Sequence, residues 1–424
     1  MLGSTLAEKI VANAAGQSRV APGDIVTCRV DLAMMHDSGG PRRVKPMLER
    51  LGVGVWDPAK IVLVSDHYVP AVDGESAAIL DLTRKWAADN AIANFHDMQG
   101  ICHVVLPERG HLKPGMFCVG GDSHSPTGGA FGAYMFGIGA TEMAGVLATG
   151  EIWLRTPRTH RIELGGRLGA GLCAKDVMLH LCRKIGMSTI RYDAIEYAGT
   201  AIAALGMEER MVLSNMSAEL GAQTGLIAPD ATTAAFLRNA NPSAADPEIA
   251  RWRSDADASY EATWHVDCGA LAPQIAAPHS PENSDAADLH RGTKIDQCYI
   301  GACTGAKLSD LHMAANILKG RKVATGTRLL VAPASQRMTA AAAADGTLAI
   351  LLEAGAILLP TGCGACAGYG AGVLAQGEVC LSSTARNFKG RMGHRESKVY
   401  LGSPYAVAAA AVAGHIVDPR EMLE

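Results

Sequence analysis

No apolar run in the 424 residues approaches the ~20 that a bilayer-spanning helix needs. The longest, Ala406 to Gly414, is an alanine-rich segment suited to a core. The N-terminus also lacks a basic region followed by an apolar one, so it reads as a short amphipathic helix rather than an export signal. A soluble, cytoplasmic protein with no membrane partner is the expectation. Charge of one sign is lacking too: 38 Lys and Arg stand against 42 Asp and Glu, a net charge of −4. With no basic stripe interleaved with aromatics, that balance speaks against nucleic acid as a partner. Paired cysteines are not evident, because eleven is an odd number and they are spread through a large chain; a disulfide framework is excluded. There is no 20–50-residue repeat and no low-complexity tail, and 48% hydrophobic content rules out a disordered chain.

What is abundant is glycine, 47 residues or about 11% against a usual ~7%. That many tight turns and close backbone approaches suit sites for small anions. Apolar runs alternate with amphipathic stretches, which predicts an α/β fold. Lys60 to Ser65 reads as a buried strand ending at Asp66-His67, and Met116 to Val119 as another that empties into Gly120-Gly-Asp-Ser-His124. Helical spacing covers Gly74 to Asn90 and Ala174 to Ile185. Thr159 to Leu164 opens a second region, and Gln297 to Ile300 leads through Gly301-Ala-Cys-Thr-Gly305 into a helix ending at Lys319. Pro242 to His290, rich in Pro, Ala, Asp and Ser, reads as a linker. Three α/β domains follow, near 1–157, 158–285 and 286–424, packed about a central cleft because the motifs end apolar runs, where open sheets place their sites.

Four constellations carry chemistry. Cys363 and Cys366 form a CxxC between glycines, with Cys303 sixty residues earlier. Three thiolates suit an iron–sulfur cluster with one iron left open, a Cys₃ zinc site or a redox dithiol, against a bland packing role. His36-Asp37, Asp66-His67, His103 and Asp122-Ser123-His124 each stand at or just after an apolar run. Asp–His pairs orient an imidazole and hold its charge, as acid–base chemistry requires. His96, His111 and His180 are read as satisfied core histidines. Arg386 and Arg391 could clamp carboxylates. Glu219, in Ser214-Asn-Met-Ser-Ala-Glu219, is by itself an ordinary helix glutamate.

Together these motifs resemble the aconitase superfamily, most closely the large subunits of 3-isopropylmalate dehydratase and homoaconitase. The resemblance rests on Val30 to Asp37, Ser65 to Pro70, Gly100 to Glu108, Gly120 to His124, Ser214 to Glu219, Gly301 to Thr304, Gly362 to Cys366 and Arg386 to Arg391, in the family's order over nearly the whole chain. It implies three α/β/α domains and a [4Fe-4S] cluster used as a Lewis acid, with Cys303, Cys363 and Cys366 as ligands and Asn215 and Asn387 beside it. It further implies that Asp66, His67, His103, Asp122, His124 and Glu219 are catalytic. Substrate would be bound by His36, Asp37, Ser123, Arg386 and Arg391.

The activity so implied is that of a hydro-lyase converting 2-isopropylmalate to 3-isopropylmalate in leucine biosynthesis. Two departures keep other substrates open. Gly305 stands where the family usually has Asn after Ser-Cys-Thr (here Ala302-Cys303-Thr304), and Ala385 replaces the Asn of Asn-Arg-Asn-Phe. A dehydratase of 2-methylmalate or 2,3-dimethylmalate, or a homoaconitase, fits these changes as well, and a non-catalytic iron or redox sensor is the reading from another class. Active relatives carry a swivelling domain whose Gly-Ser-Arg-type loop supplies the base. No such loop follows Arg391, so the resemblance implies a separately encoded small subunit as partner.

Overall fold

In the computed structural model, which describes residues 3–242 and 249–423, the strands Leu32–His36, Ile61–Ser65 and Phe117–Gly120 are buried along their whole length. Strands covered on both faces are continuous apolar runs, and they pair in parallel because crossover helices supply the covers. With Asn94–Asp97 and Tyr134–Gly137 they form a five-stranded parallel sheet, ordered by first residue 94, 61, 32, 117, 134. The winding direction reverses between Leu32–His36 and Phe117–Gly120. At such a point the two following loops part and leave a crevice.

A second parallel sheet holds Thr224–Ile227, Ala194–Ala198, Thr159–Gly165 and Thr263–Asp267 in that order. The third has seven strands: Ser284–Ala286, Gln274–Ala276, Lys398–Gly402, Val379–Ser382, Gln297–Ile300, Arg328–Val331 and Ile357–Leu358. The last five run parallel and the first two pair antiparallel at one edge. Its winding reverses between Val379–Ser382 and Gln297–Ile300, and the loops after those strands carry Arg386 and Cys303. Ile25–Arg29 and Glu151–Arg155 make a separate antiparallel pair.

Helices form where the spacing predicts them. Gly74–Asp89 starts at Asp73, whose carboxylate accepts the Ser76 N–H at 2.7 Å. Ala174–Ile185 buries Val177, Met178, Leu181 and Cys182. The alanine-rich stretch lies in the helix Pro404–Ala413, with Ala406 to Ala411 buried. The expected linker is different. Residues 243–248 lie outside the described part, but the remainder of Pro242 to His290 supplies Thr263–Asp267 to the second sheet and two edge strands to the third. Strands of three to five residues in Pro- and Asp-rich surroundings leave too short an apolar pattern to read. The third sheet accordingly takes residues from Gln274 onward, ahead of the boundary expected at 286.

Hydrogen bonds tie the three sheet regions to one another. Ile101 N–H donates to Ala334 O at 2.9 Å, Thr224 Oγ1 donates to Met135 O at 2.8 Å, and Gln274 N–H donates to Asp176 Oδ1 at 2.9 Å. No helix among the described residues is long and apolar enough to cross a membrane.

Candidate active site

Asp66 and His67 follow the fully buried strand Ile61–Ser65, so their pairing occurs away from water. His67 Nδ1–H donates to Asp66 Oδ1 at 2.6 Å, and Asp66 Oδ2 accepts the Cys102 N–H at 2.7 Å. Burial opposes both charges, yet the pair prevails: His67 is raised to about 9 and Asp66 lowered to about 2. At neutral pH His67 is an imidazolium against a carboxylate. His36, at the end of the neighbouring strand, stacks on it with ring centroids 4.1 Å apart. Gly39 N–H donates to His36 Nδ1 at 3.3 Å, so His36 Nε2–H donates to Gly121 O at 3.0 Å. Burial and the His67 charge keep His36 neutral.

Asp37 was expected to touch substrate. It is fully buried instead, with its oxygens accepting the N–H groups of Asp66 (3.2 Å), His67 (3.0 Å) and Tyr68 (2.7 Å). It positions the loop from behind.

A second chain of groups runs across the crevice. His103 Nε2–H donates to Asp122 Oδ1 at 2.7 Å, and the same oxygen accepts the His124 N–H at 2.8 Å. Burial would raise Asp122, but the facing imidazoles hold it well below the carboxylate range. His124 Nε2–H donates to Glu219 Oε1 at 3.0 Å, and Arg386 Nε–H donates to that oxygen at 2.8 Å. Arg386 also donates through Nη1 to Ser123 Oγ at 2.8 Å. Burial and the Arg386 charge hold His124 down; Glu219, though buried, is held ionised by His124 and Arg386. Asp122, Ser123 and Arg386 line a cavity of about 350 Å³ with Tyr192 and Gln223 at its rim. Two hollows of about 590 Å³ are larger; one, bounded by Trp153 and Arg155, adjoins this cavity and shares Ile138, Tyr192 and Gln223 with it, and the other is bounded by Tyr260 and Arg161. Neither is lined by Asp122, Ser123 or Arg386, so size does not mark the site.

The three cysteines meet the same crevice from the third sheet. Cys363 N–H donates to Asp66 O at 2.8 Å, which ties the CxxC loop to the Asp66-His67 loop. Gly362 makes that possible: at φ +146 any Cβ would sit 2.8 Å from Asp66 O. Ala302 adopts φ +70, a left-handed strain of ~1 kcal/mol that turns Cys303 inward. Asn215 Nδ2–H donates to Cys303 Sγ at 3.2 Å and to Thr127 Oγ1 at 2.8 Å, while its Oδ1 is buried without a partner. Burial pushes the thiols up, helped at Cys303 by Cys366 and at Cys363 by the Asp66 carboxylate and then the other two cysteines: Cys303 rises to about 12, and Cys363 well above its ordinary range. Such thiols ionise only if a cationic group arrives to hold them.

A single zinc ion would need the three sulfurs closer together than they stand. At Zn–S of about 2.3 Å a tetrahedral ion draws its sulfurs to about 3.8 Å of one another. These three sulfurs do not lie within 4.8 Å of one another, unlike the donor atoms of His36, Asp37, Asp66 and His67 or of His103, Asp122 and His124. The spacing leaves room for a larger body. Arg391, expected to clamp substrate, stands where its charge favours the ionised form of Cys366, and its Nε is buried unpartnered. Asn387, expected beside the cluster, spends its N–H₂ on Ala277 O (2.9 Å) and Val399 O (3.1 Å) and so braces the Arg386 loop.

His96 and His111 bond each other, Nε2 to Nε2 at 2.7 Å. Gly305 and Ser383 explain one departure from the family pattern. A Cβ at 305 would lie 2.5 Å from Ser383 O and collide with its side chain, which accepts the Gly301 N–H at 3.0 Å. The space of the missing amide is taken by Ser383. The reading from sequence missed Lys175 and Lys307, both buried against the Cys303 loop. A signal existed for Lys175, which lies in phase with Met178, Leu179 and Cys182 on the apolar face of its helix.

Comparison with known proteins matches residues 8–291 and 284–414 to the aconitase family (aconitate hydratase). The chain is 45% identical over 424 residues, all of both chains, to "3-isopropylmalate dehydratase large subunit 1" of Methanopyrus kandleri. It is 44% identical to "Probable methanogen homoaconitase large subunit" of Methanosarcina mazei, over 93% of this chain and 99% of that one. Among solved structures, aconitase X of Thermococcus kodakaraensis in its holo-form aligns with TM-score 0.54 at 13% identity, covering 91% of this chain and 90% of that chain, a likeness of fold alone.

Proposed function

The chain belongs to the aconitase family, and on that premise we propose that it is the large subunit of a [4Fe-4S]-dependent hydro-lyase acting on a hydroxy di- or tricarboxylate, with isopropylmalate first among the substrates. Relatives named for isopropylmalate and for homoaconitate stand at 45% and 44% identity, so identity does not separate the two. The observation that carries the reading is the hydrogen bond between Cys363 N–H and Asp66 O. It sets three thiols beside an imidazolium–carboxylate pair, bringing a ligand set and a proton donor to one crevice.

Cys303, Cys363 and Cys366 would hold the cluster, which when bound supplies a Lewis-acidic iron that polarises the substrate hydroxyl. Departure of that hydroxyl as water needs a proton. His67 carries one at neutral pH and is oriented for its delivery by Asp66, with Asp37 fixing the loop. His103, held in place by Asp122, faces the crevice from the second chain of groups. Arg386, with Nε committed to Glu219 and Nη1 at Ser123, presents its charge to a substrate carboxylate in the cavity. The relatives' names, as large subunits, support a separate small subunit, to which we assign the base that removes the substrate proton.

The test is an anaerobic assay of the iron-reconstituted chain against 2-isopropylmalate, 2-methylmalate, 2,3-dimethylmalate and homocitrate, with and without the small subunit. Turnover that needs both chains is expected. Iron uptake without turnover of any substrate in the presence of both would favour the sensor reading. Full turnover by the large chain alone would remove the partner's role as base.

A further inference from the structure

Lysines are almost never fully buried unless paired. Two break the surface rule here, and they differ. Lys307 is fully buried, donates to Cys303 O at 3.2 Å, and has its own carboxylate, Asp310 Oδ2, at 2.6 Å. Lys175 is 1% exposed and has no carboxylate within ion-pair distance among the described residues. Its ammonium donates to Thr304 Oγ1 at 3.0 Å, to Thr384 O at 2.8 Å and towards Met216 Sδ at 3.6 Å. Those three residues adjoin Cys303, the Arg386 loop and Asn215. A buried charge satisfied only by neutral dipoles is a cost to folding, since its desolvation is not offset by an opposite charge.

The missing anion is supplied by the reading above. Three thiolates holding a cluster form a net negative body, and the charge of Lys175 acts on both Cys303 and Cys366. From this geometry we infer that Lys175 is a positioning residue that serves as the buried counter-charge of the cluster, holding the Cys303 and Arg386 loops in register with it. The inference rests on the proposed cluster. It predicts opposite signs in the iron-free and iron-loaded chains, which a purely structural tether does not.

The experiment compares wild type with Lys175→Met and with Lys175→Gln, which keeps a hydrogen-bond donor without the charge. Urea unfolding of the iron-free proteins is measured first. Release of iron to a chelator is then followed by loss of absorbance near 400 nm in the reconstituted proteins. The iron-free variants should be as stable as wild type or more so, while both loaded variants release iron at least tenfold faster. Should Lys175→Met not fold, Lys175→Gln carries the same expectation. Wild-type release rates in a folded variant would overturn the counter-charge role and leave the cluster reading intact, as would equal destabilisation with and without iron. Failure of the wild-type chain to take up iron would overturn both.

Discussion

Replacing Asp66 by Asn tests the pair at the centre of the site without any metal present. The amide keeps the shape and an acceptor for the Cys102 N–H, but removes the charge 2.6 Å from His67 Nδ1. In the native chain His67 rises from 6.5 to about 9 because Asp66 outweighs burial. At ~1.4 kcal/mol per tenfold change in proton affinity, that rise is worth ~3 kcal/mol of stability. The sign follows from the direction. A histidine whose folded pKa lies above its unfolded value contributes fully below pH 6.5, and the contribution is lost as pH climbs through 9. In the variant, burial acts unopposed by Asp66, so His67 falls towards or below 6.5 and the dependence over that window disappears. Urea unfolding of the iron-free proteins between pH 6 and 9.5 reads this out. Ionisation of cysteines in the unfolded chain destabilises both proteins alike and cancels in the difference. The gap between wild type and variant should be about 3 kcal/mol at pH 6 and close by pH 9.5. A constant gap across the window would refute the assignment of His67 as a charged, Asp66-dependent imidazole.

Gly305→Asn should destabilise the iron-free chain by about 1–3 kcal/mol through overpacking against Ser383, with partial rescue in the double variant with Ser383→Gly, since the Ser383 carbonyl remains 2.5 Å from the new Cβ; additive effects in thermal or urea unfolding would count against the contact. Cys363→Ser should abolish the absorbance near 400 nm and lower bound iron, whereas Cys28→Ser, at a fully buried site where the thiol points to Val11 O, should leave both in place; equal losses would mean the ligands are misassigned. Arg386→Lys cannot serve Glu219 and Ser123 in the plane of one guanidinium, so kcat/KM should fall by 2–5 kcal/mol, about 30-fold or more; unchanged kinetics would remove Arg386 from the substrate.

The amino-acid sequence by itself determined the local elements and the chemistry of the loops. Buried strands such as Ile61–Ser65 are apolar at nearly every position, and helices such as Ala174–Ile185 carry a 3.6-residue stripe, so short-range patterning suffices to read them. The motifs after those strands likewise named His67, Asp122, Cys303 and Arg386, because residue type fixes what a group can donate or ionise. The edge strands Gln274–Ala276 and Ser284–Ala286 were beyond that reach, since three-residue strands depend on a neighbour for their hydrogen bonds. Only the tertiary structure decided which polar residues face the crevice and which stand behind it. Asp37 and Asn387 look like site residues in sequence, yet each spends its hydrogen bonds on backbone groups. Lys175 reads as one more helix lysine, until the packing of a second and a third sheet seals it against Thr304 and Thr384. The physical reason is range: a hydrophobic stripe or a turn residue acts over a few positions, whereas burial and charge balance are set by groups that lie 129 and 209 residues away along the chain.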